Sequence, residues 1–279
     1  MAGKLYVVAT PIGNLDDITF RAVNTLKNVP IIACEDTRVA KKLLNHFGIK
    51  DKKLISYYEP VEEKVSEKLI SLLEDGNDVV LITDAGTPTI SDPGYRLIKK
   101  AVDKDIDIIP IPGASAVITA LSVSGLPTDK FIFLGFLPKK KGAKKEILSK
   151  YGALNNTLVI YESPHKLLET LDLITELFPK GDIVVAKELT KLFERFFRGK
   201  PQEVSEFLKN NGDLIKGEFV IVLYPNYEEK KDISEDELLE KAKEMQKAGQ
   251  RIKDIASQLA KEFSLNKKEL YKFLSERLK

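Results

Sequence analysis

Two short stretches gather side chains that can take, give or hold a proton. In "ACEDTR", Glu35 and Asp36 close an apolar run, and Arg38 stands near enough to pair with one of them. Such a set either frames a cleft as an ion pair or orients a polar substrate. In "KELTKLFE", Glu188, Lys191 and Glu194 mix acid and base, which suits substrate positioning or structural pairing. His165 follows Ser163-Pro164, which read as an N-cap and the first helical residue. The positive end of that helix would favour a neutral, base-competent imidazole, although a supporting hydrogen-bonding role fits the same position. His46, in "LLNHFGI", reads as a helix-end or surface residue.

Three turns could hold a ligand for these groups to act on. "ATPIGNLDDIT" (9–19), "TDAGTP" (83–88) and "PGASA" (112–116) each follow an apolar run. Proline fixes a turn and glycine lets backbone approach a ligand closely, so these turns suit a ligand held by main-chain atoms. None matches G-x-G-x-x-G or G-x-x-x-x-G-K-[ST], so neither a dinucleotide nor a P-loop phosphate site is expected. A neutral or cationic ligand fits better.

The elements that must carry these residues follow from pattern: β-rich apolar runs recur with helix-period segments between them. "LYVVAT", "PIIACED", "KLISYY", "DVVLITD" and "IDIIPIP" are followed by helical patterns at 18–26, 38–47, 61–74, 95–102 and 114–123. This alternation predicts a mainly parallel sheet with helices on both faces and ligands beyond the C-terminal strand ends, where the three turns fall. Five more runs follow, "KFIFLGF", "NTLVIYES", "DIVVAKEL", "LFERFFRGK" and "GEFVIVLYP", with helices at 144–150, 166–178 and 202–209. The third and fourth runs are too close for a crossover, so they predict a hairpin and a mixed second sheet. The expected organisation is a two-lobed α/β fold, 1–125 and 126–225, then a charged linker and small helical appendage over 226–279. That appendage reads as helix-turn-helix-like, with helices at 235–247, 252–263 and 267–277, Ser264 or Asn266 as a cap, and Ile252, Ile255, Leu259, Leu270 and Leu274 inward.

Composition narrows the function. Lys+Arg 44 against Asp+Glu 42 leaves a net charge of only +2 over 279 residues, so any nucleic-acid preference must come from local patches. The candidates are Lys139, Lys140, Lys141, Lys144 and Lys145 in "PKKKGAKK", and Arg195, Arg198 and Lys200 interleaved with Phe193, Phe196 and Phe197. Either could contact phosphates, the second also stacking bases, or could be a solvated loop and a core strand. Residues 230–279 carry 13 Lys+Arg against 10 Asp+Glu, a balance that suits either RNA docking or a plain solvated surface. Cys34 is the one cysteine, which excludes an intrachain disulfide and a Cys-rich zinc site and fits a reducing, cytoplasmic setting. No metal is expected. No apolar run reaches the roughly 18 residues of a membrane span, so no membrane association is expected.

"ATPIGNLDDIT", "CEDTR", "TDAGTP", "ISDPG", "PGASA", "GFLP", "YESPHK" and "KELTK" occur in that order. Together they resemble the motifs of the tetrapyrrole-methylase-like (class III) S-adenosylmethionine-dependent methyltransferases over about 4–225. The greatest likeness is to the branch that methylates the ribose 2′-hydroxyl of a decoding-centre cytidine in 16S ribosomal RNA. The resemblance implies a homodimer, the small ribosomal subunit as partner, and S-adenosylmethionine folded in a cleft between lobes. It also implies cofactor contacts from Pro11, Gly13, Asp84, Ala85, Gly86, Ser115 and Ala116, with Leu134 and Ala186 contributing. Lys166 stands where the motif leads one to expect arginine, keeping charge but losing a bidentate fork.

Methyl transfer from a sulfonium is an in-line displacement, so alignment of the reacting atoms matters most and is worth about 7–11 kcal/mol. A positioned base for the ribose hydroxyl would add roughly 10²- to 10⁴-fold. Glu188, Lys191 and His165 are the catalytic candidates, with Glu35, Arg38, Lys139, Lys140, Lys141, Arg195 and Arg198 on the substrate side. Competing expectations are a methylase of the same fold acting on a tetrapyrrole or a protein, and a non-catalytic RNA-binding assembly factor.

Overall fold

The computed structural model describes residues 2–226, 234–263 and 265–278. The chain divides into two compact units, 1–227 and 228–279. Most of the charged linker and Ser264 lie outside the described residues.

Strands β1 (Leu5–Val8), β2 (Ile31–Cys34), β3 (Lys53–Ser56), β4 (Val79–Ile82) and β5 (Ile108–Ile111) form a parallel sheet in the order β3-β2-β4-β1-β5. The central strands β2 and β4, "IIAC" and "VVLI", are buried at every position, as a sheet covered on both faces requires. Pro110 can sit within β5 because β5 is an edge, where a missing N–H breaks no ladder. Helices α1 (Phe20–Asn28) and α2 (Thr37–His46) cover one face, burying Leu26, Leu43 and Leu44 against Val80 and Ile82. Helices α3 (Glu62–Glu74) and α4 (Tyr95–Asp103) cover the other, with Leu69, Leu73 and Leu97 packed on Val79 and Leu81. Burial of each such leucine is worth about 1.5–3 kcal/mol.

The second sheet comprises β6 (Phe131–Phe136), β7 (Thr157–Glu162), β8 (Asp182–Lys187), β9 (Arg195–Gly199) and β10 (Phe219–Tyr224), ordered β6-β7-β10-β8-β9. β6 and β7 run parallel, while β10 is antiparallel to β7 and β8, and β8 and β9 form the expected hairpin. Helices α6 (Lys141–Gly152), α7 (Pro164–Leu177) and α8 (Pro201–Asn210) seal its outer face through Leu148, Leu171, Ile174 and Leu208. Helix α5 (Ala116–Ser122) belongs to the inner face: Val117, Ala120 and Leu121 share a core with Val159, Val184 and Val222. In packing terms, the change from one sheet's core to the other's falls before α5.

Residues after the linker form α9 (Glu235–Lys247), α10 (Ile252–Glu262) and α11 (Lys267–Arg277). Ser234 and Glu237 make a capping box at the start of α9, and Asn266 caps α11 through the Lys268 N–H. Ile255, Leu259, Leu270 and Leu274 are buried together, with Ile252 partly buried beside them.

Candidate active site

The loop ends of both sheets meet around a cavity of about 340 Å³. From the first sheet come Ile12 after β1, Ala85, Gly86 and Thr87 after β4, and Ser115 and Ala116 at the head of α5. From the second come Phe136, Tyr161 and Glu162 at the ends of β6 and β7, Ser163 and Pro164 at the start of α7, Leu189 after β8, and Gly217 to Val220 entering β10. Ile90, Ser91 and Asp92, on the loop between β4 and α4, complete the wall.

Two of the turns singled out in the sequence are bonded to each other. Thr10 N–H donates to the Gly86 carbonyl at 2.9 Å, Gly86 N–H returns to Thr10 at 3.1 Å, and Thr10 Oγ1 donates to the Thr83 carbonyl at 3.1 Å. Gly86 has φ +85, the left-handed region glycine enters without strain. Ala85, Gly86, Ser115 and Ala116 therefore line the cavity, whereas Pro11 and Asp84 line a separate, smaller hollow beside α2. Gly13 serves close packing: a Cβ there would stand 2.4 Å from Lys191 Cγ and 3.0 Å from the Leu189 carbonyl. Leu134 packs against the core under the second sheet, and Ala186 is buried within it.

The acids on the two sides of the site differ in their partners, and of them Asp92, Glu162 and Glu218 line the cavity. Asp36 caps α2 and holds Arg38 at 2.6 Å, which brings its carboxyl down to about 2. Glu35 is raised, by burial first and then by Asp84. Asp84 is raised by burial, against the Asp36 N–H that it accepts at 3.1 Å. Asp92 is pushed up to about 7 by burial, then by Glu35 and Asp84. Across the cavity, Tyr161 is raised to about 12 by burial and then by Asp92, so its hydroxyl stays protonated. Cys34, the buried last residue of β2, is raised to about 12 by burial and then by Asp84 and Asp36, which leaves it an unreactive thiol.

Glu188 and Lys191 do not line the cavity; they brace its rim. Lys191 Nζ sits 3.0 Å from Glu188 Oε1 and 2.9 Å from Glu218 Oε2. Glu188 Oε1 also accepts the Glu218 N–H at 2.9 Å. Burial pushes the Glu188 carboxyl up, but these partners outweigh it and hold the acid below its ordinary range. Glu194 accepts the Thr190 N–H at 2.7 Å, closing the same turn. His165 is exposed on the first turn of α7, behind the expected Ser163 cap, and its neighbours Ser163 and Pro164 reach the cavity instead. His46 ends α2 in solvent.

The lysine-rich segment divides. Lys139, Lys140 and Lys141 are exposed where β6 leads into α6, and Lys145 pairs with Glu176 at 2.6 Å. Lys144 corrects the phosphate-patch expectation. It is 0% exposed, donates to Thr170 Oγ1 at 2.9 Å and Glu169 Oε1 at 3.2 Å, and lies 3.8 Å from Glu162 Oε2. The helix period places it one turn from buried Leu148, and that spacing was the available signal. On β9, Arg195 and Arg198 are exposed. The Arg198 guanidinium lies 4.8 Å over the Phe196 ring, and its Nη2 donates to the Val123 carbonyl at 2.7 Å. Phe196 and Phe197 pack against the cores on either face, leaving Phe193, 67% exposed, as the aromatic free to stack. Sequence reasoning assigned no role to Asp92, Tyr161, Glu162 or Glu218. Asp92 lies inside "ISDPG", and Tyr161 and Glu162 open "YESPHK", which was the signal for them.

Among the described residues, no cluster of three or more His, Cys, Asp or Glu is placed to hold a metal ion, and no helix is long and apolar enough to cross a membrane.

Two sheets whose loop ends close on one cavity are an architecture shared with solved structures. The model of the Tetrapyrrole (Corrin/Porphyrin) Methylases matches residues 4–205, and the chain belongs to that family. Within it, the chain is 50% identical over 222 residues to ribosomal RNA small subunit methyltransferase I of Hydrogenobaculum sp., covering 79% of this chain and 95% of the relative. The protein of the same name from Synechocystis sp. is 42% identical, and the match covers 98% of both chains. Among solved structures, uroporphyrin-III C-methyl transferase from Thermus thermophilus, complexed with S-adenyl homocysteine, shares the fold. It has a TM-score of 0.54 and 17% identity, covering 79% of this chain and 97% of that one.

Proposed function

We propose that this protein methylates the ribose 2′-hydroxyl of a cytidine in 16S ribosomal RNA, with S-adenosylmethionine as donor and the small ribosomal subunit as partner. The observation that carries the donor assignment is the charge of the cavity. Its lining contains Asp92, Glu162 and Glu218 and no Lys or Arg. Lys144 stands behind Glu162 and Lys191 behind Glu218, which leaves Asp92 as the acid of the lining without a cation; that suits a ligand carrying a sulfonium, and the volume falls in the usual range for a small-molecule site. When bound, the donor supplies a methyl group activated by positive sulfur. Ala85, Gly86, Ser115 and Ala116 would hold it, with main-chain groups at the strand ends making the close approach.

The RNA assignment is supported by the name shared by the relatives and by cations placed outside the cavity. Lys139, Lys140, Lys141, Arg195 and Arg198 are all exposed and can take phosphate contacts. In this reading Glu188 and Lys191 are positioning residues that brace the rim, and His165 stands exposed on the first turn of α7. The protein works in the cytoplasm as a homodimer, a state that sedimentation of the purified chain would show.

The test is transfer of labelled methyl from S-adenosylmethionine to small subunits that lack the modification, with the product mapped by resistance of the backbone to alkaline cleavage. One resistant position at a cytidine is the expected result. Label on a base, or no transfer under conditions where calorimetry shows donor binding, would overturn the acceptor assignment.

A further inference from the structure

The cavity contains three carboxylates, and two of them are already committed. Glu162 accepts the Ser163 N–H at 2.8 Å on one oxygen and the Thr170 hydroxyl at 2.6 Å on the other. Glu218 holds Lys191 at 2.9 Å. Asp92 accepts no hydrogen bond and forms no ion pair among the described residues, so its lone pairs are free toward the cavity that it lines.

The backbone that presents Asp92 is strained and held in place. Thr89 and Ser91 both have positive φ, 75° and 67°, a strained conformation for residues other than glycine. The loop sustains this because both its ends are tied. Thr87 Oγ1 donates to the Ala114 carbonyl at 3.2 Å, and buried Glu62 accepts the Gly94 N–H at 3.0 Å and the Arg96 N–H at 3.3 Å. Strain maintained by such ties marks a segment whose conformation is used.

We propose that Asp92 is the proton acceptor for the attacking hydroxyl. This rests on the methyl-transfer reading above. Asp92 takes the proton that the ribose oxygen gives up as that oxygen bonds to the methyl carbon. The carbon–sulfur pair stays on sulfur, which becomes neutral, and the proton then passes from Asp92 to solvent. The groups facing Asp92 suit a base. Burial first, and then Glu35 after β2 and Asp84 after β4, raise its proton affinity, and Tyr161 on β7 faces it as a protonated phenol. Arg38 acts on Asp84, and Glu218 acts on Tyr161. A value of about 7 is near the optimum for a base working at neutral pH. The other candidates are less suited. Asp36 is held near 2 by Arg38, Glu188 is held low by Lys191 and the Glu218 N–H, and His165 lies off the cavity.

The experiment compares wild type, Asp92→Asn and Asp92→Glu in single-turnover methyl transfer to unmodified small subunits between pH 5.5 and 9. Donor affinity and proton release on donor binding are measured alongside by calorimetry in two buffers. Asp92→Asn should lose about 10²- to 10⁴-fold in rate, keep donor affinity within tenfold and lose the acidic limb of the pH profile, with Asp92→Glu recovering part of the rate. In wild type, a bound cation should drive a proton from Asp92 near pH 7, and that release should vanish in Asp92→Asn. Transfer by Asp92→Asn at the wild-type rate, or with its acidic limb intact, would overturn the assignment of the base while leaving the reaction standing. Wild type that methylates no ribose hydroxyl would instead overturn the methyl-transfer reading and the base with it.

Discussion

The two sheets' sides of the site, in and around the cavity, treat negative charge in opposite ways. On the second-sheet side each acid has a cation: Lys144 beside Glu162, and Lys191 between Glu188 and Glu218. On the first-sheet side Asp36 has Arg38, but Glu35, Asp84 and Asp92 are all raised, by burial first and then by the charge of neighbouring carboxylates. At the buried Lys144 and Glu162, paired charge fixes shape, because moving either partner uncovers the other in a place of low polarity. Unpaired charge responds to ligand, because an arriving cation relieves the repulsion and Asp92 can lose its proton to meet it. The second wall is a frame and the first is the side that senses and reacts.

The largest test of this contrast is Lys144→Met. Removing one partner of a buried pair costs about 3–5 kcal/mol, and Glu162 is only 4% exposed. Chemical denaturation should show a loss of that size, and the double variant Lys144→Met with Glu162→Gln should recover most of it. A Lys144→Met protein as stable as wild type would mean that the frame does not depend on this pair. A smaller effect is expected at the rim from Gly217→Ala. Gly217 has φ +89, and a Cβ there would stand 2.4 Å from Glu188 Cδ. The left-handed backbone alone costs on the order of 1–3 kcal/mol, and Glu188 must also move off Lys191. A crystal structure of the variant with the Glu188 to Lys191 pair unmoved would show that the rim has slack.

The difference between the walls also explains which parts of the site were legible in the sequence. Strands and helices follow from short-range period, so all ten runs appear as strands and "VVAKELTKLFERFFRGK" closes as a hairpin. Ser163-Pro164 begins α7 for reasons contained in two residues. Pairing across the fold has no such local mark. Lys144 looks like its neighbours in "KKKGAKK" until the helix face is counted, and its partners Glu162 and Thr170 lie on β7 and α7. Asp92 sits in a motif that reads as a turn, and its two acidic neighbours arrive from the ends of other strands. Gly13 was legible as a position needing no side chain, but the reason is contact with the Leu189 to Lys191 turn, which only the folded chain brings near.

The smallest expected effect is the most direct probe of the reactive wall. Asp92 lies at about 7 in the folded protein against an ordinary 3.8, so folding favours its protonated form. The stability this contributes is fully present below the ordinary value and is lost as pH rises through 7. Wild type should therefore lose stability relative to Asp92→Asn between about pH 4 and pH 7, with the gap levelling off above. Because the group is partly exposed, solvent screening limits the effect to about 1 kcal/mol, or roughly 2–4 °C in Tm. Saturating S-adenosylmethionine should close the gap at pH 8, since a cation beside the ionised carboxylate removes the penalty that Asp92→Asn avoids. Parallel Tm curves for the two proteins across this range would place Asp92 with the paired acids and erase the distinction between the walls.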